Sequence, residues 1–280
     1  MNSMNLPAVF IVGAPRTGST ILYQALTNSL LVTYPDNLTS KFGRHLRSGL
    51  RVSRLFFGET PHNCFTSVRG RTDDCGLHAP NEMEHLFKGF FPQHGAKGEA
   101  QSAVRLSKLL KDVLTAYRKP VIFKSLRVGQ RIELLTRTIP FARFIHIRRN
   151  PLFTIQSIIL ARAAEGKPPE TVWYVTPRRN TLLAELHGVR KVVHQVRLID
   201  EEITDDLSRL PGIGMSVWYE DLCRDAATVT QRISAFLGDI PMRPQHRRPN
   251  LSYSDTQQVD SATFRELRRA VEELGDTWRT

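Results

Sequence analysis

A chain of 280 residues with 41% hydrophobic and 24% charged content is long enough for a real core, and is neither fibrous nor disordered in composition. The 39 Lys and Arg outnumber the 27 Asp and Glu, and the net charge of +12 favours an anionic partner: nucleotide, sulfated or phosphorylated sugar, nucleic acid or membrane surface. Cys64, Cys75 and Cys223 are odd in number and lack CxxC spacing, against a disulfide framework or zinc ribbon. Nothing approaches about 18 consecutive apolar residues, so no transmembrane segment is expected. The opening MNSMNLPAVFIVG has no charged lead for a signal peptide, and the expected location is cytoplasmic.

The most legible stretch comes first. Ala8–Val12 is an apolar, β-branched run suited to a buried parallel strand, and Ile21, Leu22, Ala25 and Leu26 recur at helical spacing. Between them, Gly13-Ala-Pro-Arg-Thr-Gly-Ser-Thr20 is a turn with glycines near both ends. Strand, glycine loop and helix N-terminus converge free N–H groups and a positive dipole end on one point, an anion cradle. Ser19 and Thr20 add hydroxyls, and Arg16 adds a forked cation. The nucleotide P-loop reads G-x-x-x-x-G-K-[ST]. Gly13, Gly18 and Thr20 fit that frame, but Ser19 replaces the lysine.

From Lys41 to Arg54 the chain is basic, with a helical stripe of Phe42, Leu46, Leu50 and Leu55. Gly58 to Pro80 is loop-like, and long loops are often lids or binding loops. Asn81 is expected to cap a short helix through Phe87. Ser102–Tyr117 has helical spacing, Pro120–Lys124 is a strand, Gln130–Thr138 a helix and Phe141–Ile147 a strand. Arg148-Arg-Asn-Pro151 leads into a helix with Asn150 as cap and Pro151 in its first turn. Residues 170–207 read as one or two long helices. Gly214–Tyr219 is a last strand, Ala226–Leu237 a helix closed by Gly238, residues 243–254 a basic loop, and Phe264–Leu274 a terminal helix. Alternating strands and helices predict an α/β fold with a parallel β-sheet flanked by helices.

Arg149 at a strand end and Ser157, eight residues on, can face the crevice where open α/β sheets bind ligands. GAPRTGSTIL followed by FIHIRRNPLFTIQS, about 130 residues apart, resembles the two nucleotide signatures of sulfotransferases that use 3′-phosphoadenosine 5′-phosphosulfate (PAPS). Val217-Trp-Tyr-Glu-Asp-Leu222, before a helix ending Phe236-Leu-Gly238, strengthens the likeness, which looks closest to the bacterial branch related to carbohydrate and tyrosyl-protein enzymes. The resemblance implies one P-loop-like sulfotransferase domain over 1–280, with a variable acceptor region around 38–100 and a helical insertion around 165–207. It implies that Arg16, Thr17, Gly18, Ser19 and Thr20 hold the 5′ end of PAPS. Arg149 and Ser157 would take the 3′-phosphate, with Tyr219 near the same end.

In such a reaction negative charge grows on the bridging oxygen of the leaving phosphate, as in phosphoryl transfer. Arg16 and the loop N–H groups face that charge. Lys124 is a further cation for it, though an exposed lysine ending a strand fits equally well. GLHAPNEMEHLF resembles a segment that supplies a carboxylate in this branch, which implies Glu82 as the base. Glu84, His85 and His78 remain open alternatives. Arg247, Arg248 and Ser252 could stand in for the glycine-rich C-terminal nucleotide loop of other members, which is not recognisable here.

Glu82-x-x-His85 has no second copy to form a di-iron site, and His62, His78, His85 and His94 lack zinc spacing, so no metal is expected. The expected partner is a glycan, lipid or small-molecule acceptor, with no specific nucleic acid and a homodimer left open. Two other functions compete: a P-loop kinase or related phosphotransferase, and a basic nucleic-acid-binding protein.

Overall fold

The computed structural model describes residues 6–275 apart from 69, 93–94, 169–170, 173, 248, 252 and 254. Arg248, Ser252 and His94 therefore lie outside the described residues. Four parallel strands, β1 (Ala8–Val12), β2 (Val121–Lys124), β3 (Ala142–Arg148) and β4 (Gly214–Trp218), form a sheet in the order β2-β1-β3-β4. The first loop emerges from the C-terminal end of β1, flanked by the ends of β2 and β3.

Alternation along β1 sorts the core into two layers. Phe10 is in register with Phe123 on one side and Phe144 on the other, and the three rings stack at 5.9 and 5.8 Å. That face is covered by α5 (Glu99–Tyr117), α6 (Ile132–Thr138), α7 (Pro151–Ala164), α8 (Gly188–Arg209) and α11 (Ser261–Glu272). Val9 and Ile11 point the other way and pack against α1 (Ser19–Ser29) and α10 (Ala226–Phe236). The remaining helices are α2 (Asn37–Ser40), α3 (Leu46–Phe57), α4 (Glu84–Phe90) and α9 (Tyr219–Arg224).

Several expected elements shift. Among the described residues, 171–172 and 174–187 are irregular apart from a 3-10 turn at Thr181–Ala184, and the long helix starts only at Gly188. Buried acids on α8 clasp this segment. Asp206 takes both ends of the Arg178 guanidinium at 2.9 and 3.1 Å, and Glu202 accepts the amides of Arg178 and Arg179. The polar spacing that imitates a solvated helix face is thus a set of anchors. On α3 the inward residues are Leu46, Gly49, Leu50 and Ser53, while Leu55 is 79% exposed and leaves the expected stripe. Tyr219 opens α9 instead of ending β4.

The 58–81 segment is rooted on α1 and α2. Asn37 Nδ2 donates to the carbonyls of Thr72 (2.6 Å) and Gly76 (2.8 Å), and its Oδ1 accepts from Asn81 Nδ2 (2.8 Å). At the other root His62 bonds Thr27 Oγ1 and the Gln24 carbonyl. Burial, with His78 beside it, pushes the His62 imidazole down to about 3. Between about pH 6.5 and 3 the unfolded chain binds a proton there that the folded chain refuses, so stability falls as pH falls. The slope from this group reaches at most about 1.4 kcal/mol per pH unit. The midpoint of thermal unfolding should drop between pH 7 and 5, and His62→Gln should flatten that drop. An identical slope in the variant would assign it to other groups.

Candidate active site

The first loop has its shape because two positions carry no side chain. A Cβ on Gly13 would sit 2.6 Å from the Ile147 carbonyl, so only glycine lets β1 turn away this close to β3. Gly18 has φ +88°, and a Cβ there would lie 2.2 Å from the Tyr219 ring. Gly18→Ala should therefore cost about 1–3 kcal/mol in overpacking alone and displace the ring. Thermal unfolding measures this, and Tyr219→Ala should restore part of the loss. If Gly18→Ala melts like the parent, the ring is not the constraint.

Arg16, at φ +68°, joins the two signature stretches. Its Nε donates to Ser157 Oγ on α7 at 3.0 Å, and its carbonyl accepts from Arg149 Nη1 at 3.2 Å. Thr17 turns back and donates to the Ala14 carbonyl at 2.8 Å, so its hydroxyl holds the loop in shape. Ser19 and Thr20 open α1, whose first turn receives no side-chain cap. The Arg149 guanidinium lies over the Tyr219 ring at 4.7 Å, and Arg149 Nε is buried without a partner. Burial, then the bond with Cys223, pushes the Tyr219 hydroxyl up to about 12, so it stays a neutral phenol near pH 7.

Across the cavity, Lys124 at the end of β2 forms an ion pair with Glu82 Oε1. Only 6% of the lysine side chain and 14% of the glutamate side chain are exposed. The expectation of a solvated lysine therefore fails. Glu82 precedes α4 rather than lying within it: Asn81 Oδ1 accepts the Met83 amide at 2.8 Å, and Met83 adopts φ +51° just before the helix. Thr20 Oγ1 lies 3.2 Å from Glu82 Oε1 and 3.0 Å from the Gly70 carbonyl. Thr20, Gly70, Glu82 and Lys124 line a partly open cavity of about 250 Å³.

The alternatives to Glu82 lie elsewhere. Glu84 accepts from Arg127 Nε at 2.7 Å, and His85 is exposed. His78 stacks on Phe57 at 4.2 Å and bonds the Tyr34 hydroxyl at 2.9 Å. None of the three lines the cavity. The Arg247 backbone is tied to Asn28 and Asn63, at the end of α1 away from the loop. That is about 13 Å along the helix axis from Ser19.

The cavity also has walls that motif reading missed. Gly70 and Arg71 come from the loop-like 58–80 text, where no pattern singles them out. Tyr174, whose ring faces Lys124 Nζ at 6.0 Å, lies in the segment misread as helix. Among the described residues, no cluster of three or more metal-binding side chains occurs, and no helix is long and apolar enough to cross a membrane.

A parallel sheet, a glycine loop feeding a helix, and an arginine and a serine from the second stretch meeting that loop together form a cradle suited to an anionic group. The sulfotransferase family model matches residues 7–243, and the chain belongs to that family. Its fold is similar to that of the sulfotransferase STF9 from Mycobacterium avium, at 15% identity and a TM-score of 0.53, covering 95% of this chain and 67% of that one. A sulfotransferase from Alicyclobacillus acidocaldarius is 16% identical over 98% of this chain and 99% of its own, at a TM-score of 0.44. The sulfotransferase domain from the curacin biosynthetic pathway is 17% identical over 90% of this chain and 82% of its own, at 0.46. No curated protein sequence matches the chain.

Proposed function

We propose that the protein moves a sulfuryl group from PAPS to a hydroxyl of a glycan, lipid or small-molecule metabolite. The observation that carries this reading is the junction at Arg16, where the loop suited to a 5′-phosphosulfate meets Arg149 and Ser157, suited to a 3′-phosphate. The residues fit such a donor. The uncapped first turn of α1 offers amide donors, and Arg149 Nε is a buried donor with nothing to bond.

The donor supplies an activated sulfur–oxygen bond, and the chain's residues do the rest. Arg16 and the amides of Gly18, Ser19 and Thr20 hold the 5′-phosphate. Lys124 faces the oxygen on which charge grows as the sulfur–oxygen bond breaks. Glu82 accepts the acceptor hydroxyl's proton as that oxygen bonds to sulfur.

Arg149→Ala tests the assignment. It should weaken 3′,5′-ADP binding by about 1.5–3 kcal/mol and adenosine 5′-phosphosulfate much less, since only the former has a 3′-phosphate. Equal losses, measured by calorimetry, would remove Arg149 from that role. The phosphotransferase alternative predicts stronger thermal stabilisation by ATP with Mg²⁺ than by 3′,5′-ADP. Turnover should also survive EDTA, because Arg16 and Lys124 carry the charge neutralisation. Loss of turnover in EDTA that Mg²⁺ restores would favour the alternative.

A further inference from the structure

Helix α3 has two apolar faces, and the fold uses only one. Leu46, Gly49, Leu50 and Ser53 are buried. On the outer side Leu55 and Phe56 are 79% and 75% exposed, one turn beyond the half-buried Val52. Along the edge between the two faces run Arg47, Arg51 and Arg54, spaced four and three residues apart so that they share one side of the helix.

Carboxylates answer this charge only in part. Asp112 lies 3.5 Å from Arg47, and Glu59 lies 3.7 Å from Arg54 while also pairing with Lys119 and Arg243. Among the described residues Arg51 has no carboxylate partner. The same three arginines and Leu55 wall an open cleft of about 740 Å³ against Ala116 and Tyr117 at the end of α5. The Arg54 guanidinium sits over the Tyr117 ring at 5.7 Å, which fixes one wall of the cleft.

We propose that α3 docks the protein on an anionic lipid bilayer, with headgroup phosphates in the arginine cleft and Leu55 and Phe56 among the upper acyl chains. A soluble polyanion would satisfy the arginines but leave the two large apolar side chains in water. A neutral apolar partner would bury those side chains and strand the arginines. A bilayer with acidic headgroups matches both edges of one exposed helix, the arrangement of a helix lying in an interface. The 12-residue helix is about 18 Å long, so it can lie flat on a surface without spanning it. This inference is independent of the donor and acceptor proposed above.

Co-sedimentation of the full chain with vesicles tests it. The protein should pellet with phosphatidylcholine vesicles containing phosphatidylglycerol and not with phosphatidylcholine alone. Leu55→Ser with Phe56→Ser should lower the partition coefficient about tenfold or more, each lost apolar contact weakening insertion. Arg51→Glu should lower it about fivefold or more, at roughly 1 kcal/mol per basic group. Both variants should melt as the parent does, because these side chains are exposed. Several results would overturn the proposal: no pelleting with either vesicle, equal pelleting with both, or undiminished binding by the serine variant. So would a polyanion such as duplex DNA that binds parent and serine variant equally and displaces the vesicles. A concentration-dependent dimer abolished by the serine variant would assign the face to a second copy of the chain instead.

Discussion

Glu82→Gln should slow single-turnover sulfuryl transfer from labelled PAPS by about 10²–10⁴-fold, the usual weight of a positioned proton-transfer group. Glutamine keeps the size of the side chain and can still accept from Thr20, which lies 3.2 Å away in the parent. Affinity for 3′,5′-ADP should therefore change little, and the loss should appear in the chemical step. Glu84→Gln is the matched control, since Glu84 is held by Arg127 outside the cavity. An active Glu82→Gln beside a silent Glu84→Gln would move the base two residues along and leave the transferase reading standing.

Lys124→Met should lower kcat by about 10²–10³-fold, the range for removing one donor aimed at developing charge. A second readout separates this from simple damage. The lysine and Glu82 form a largely buried ion pair, and removing one member of such a pair typically costs about 3–5 kcal/mol because the other charge is stranded. The single variant should thus melt early, whereas Lys124→Met with Glu82→Gln should regain much of the stability and none of the activity. If the double variant turns over at the parent's rate, neither Lys124 nor Glu82 takes part in the chemical step.

The sheet and the first loop could be read from the sequence because their signals are local. β1 is a continuous apolar run, and Gly13 and Gly18 mark turns whose geometry excludes a Cβ. Asn150 and Pro151 start α7 as their chemistry predicts. The far wall of the cavity was less legible. Lys124 ends a strand in a way that suits solvent, and only the fold brings it to Glu82. Tyr174 sits in a segment held in place by Arg178 and Arg179 meeting Glu202 and Asp206 on α8. Such side-chain ties across 20 to 30 residues leave no period to detect.

The pairing of Lys124 with Glu82 has a kinetic corollary. The cation proposed for the leaving group pairs with the carboxylate proposed for the acceptor, and Thr20 approaches that carboxylate as well. A phosphosulfate drawing Lys124 and Thr20 toward itself would release Glu82, so a competent acceptor site forms only after the nucleotide arrives. Initial-rate studies should then give an ordered sequential pattern, donor first. 3′,5′-ADP should compete with PAPS and be noncompetitive toward the acceptor. A dead-end acceptor analogue should bind the nucleotide-loaded protein in preference to the empty one.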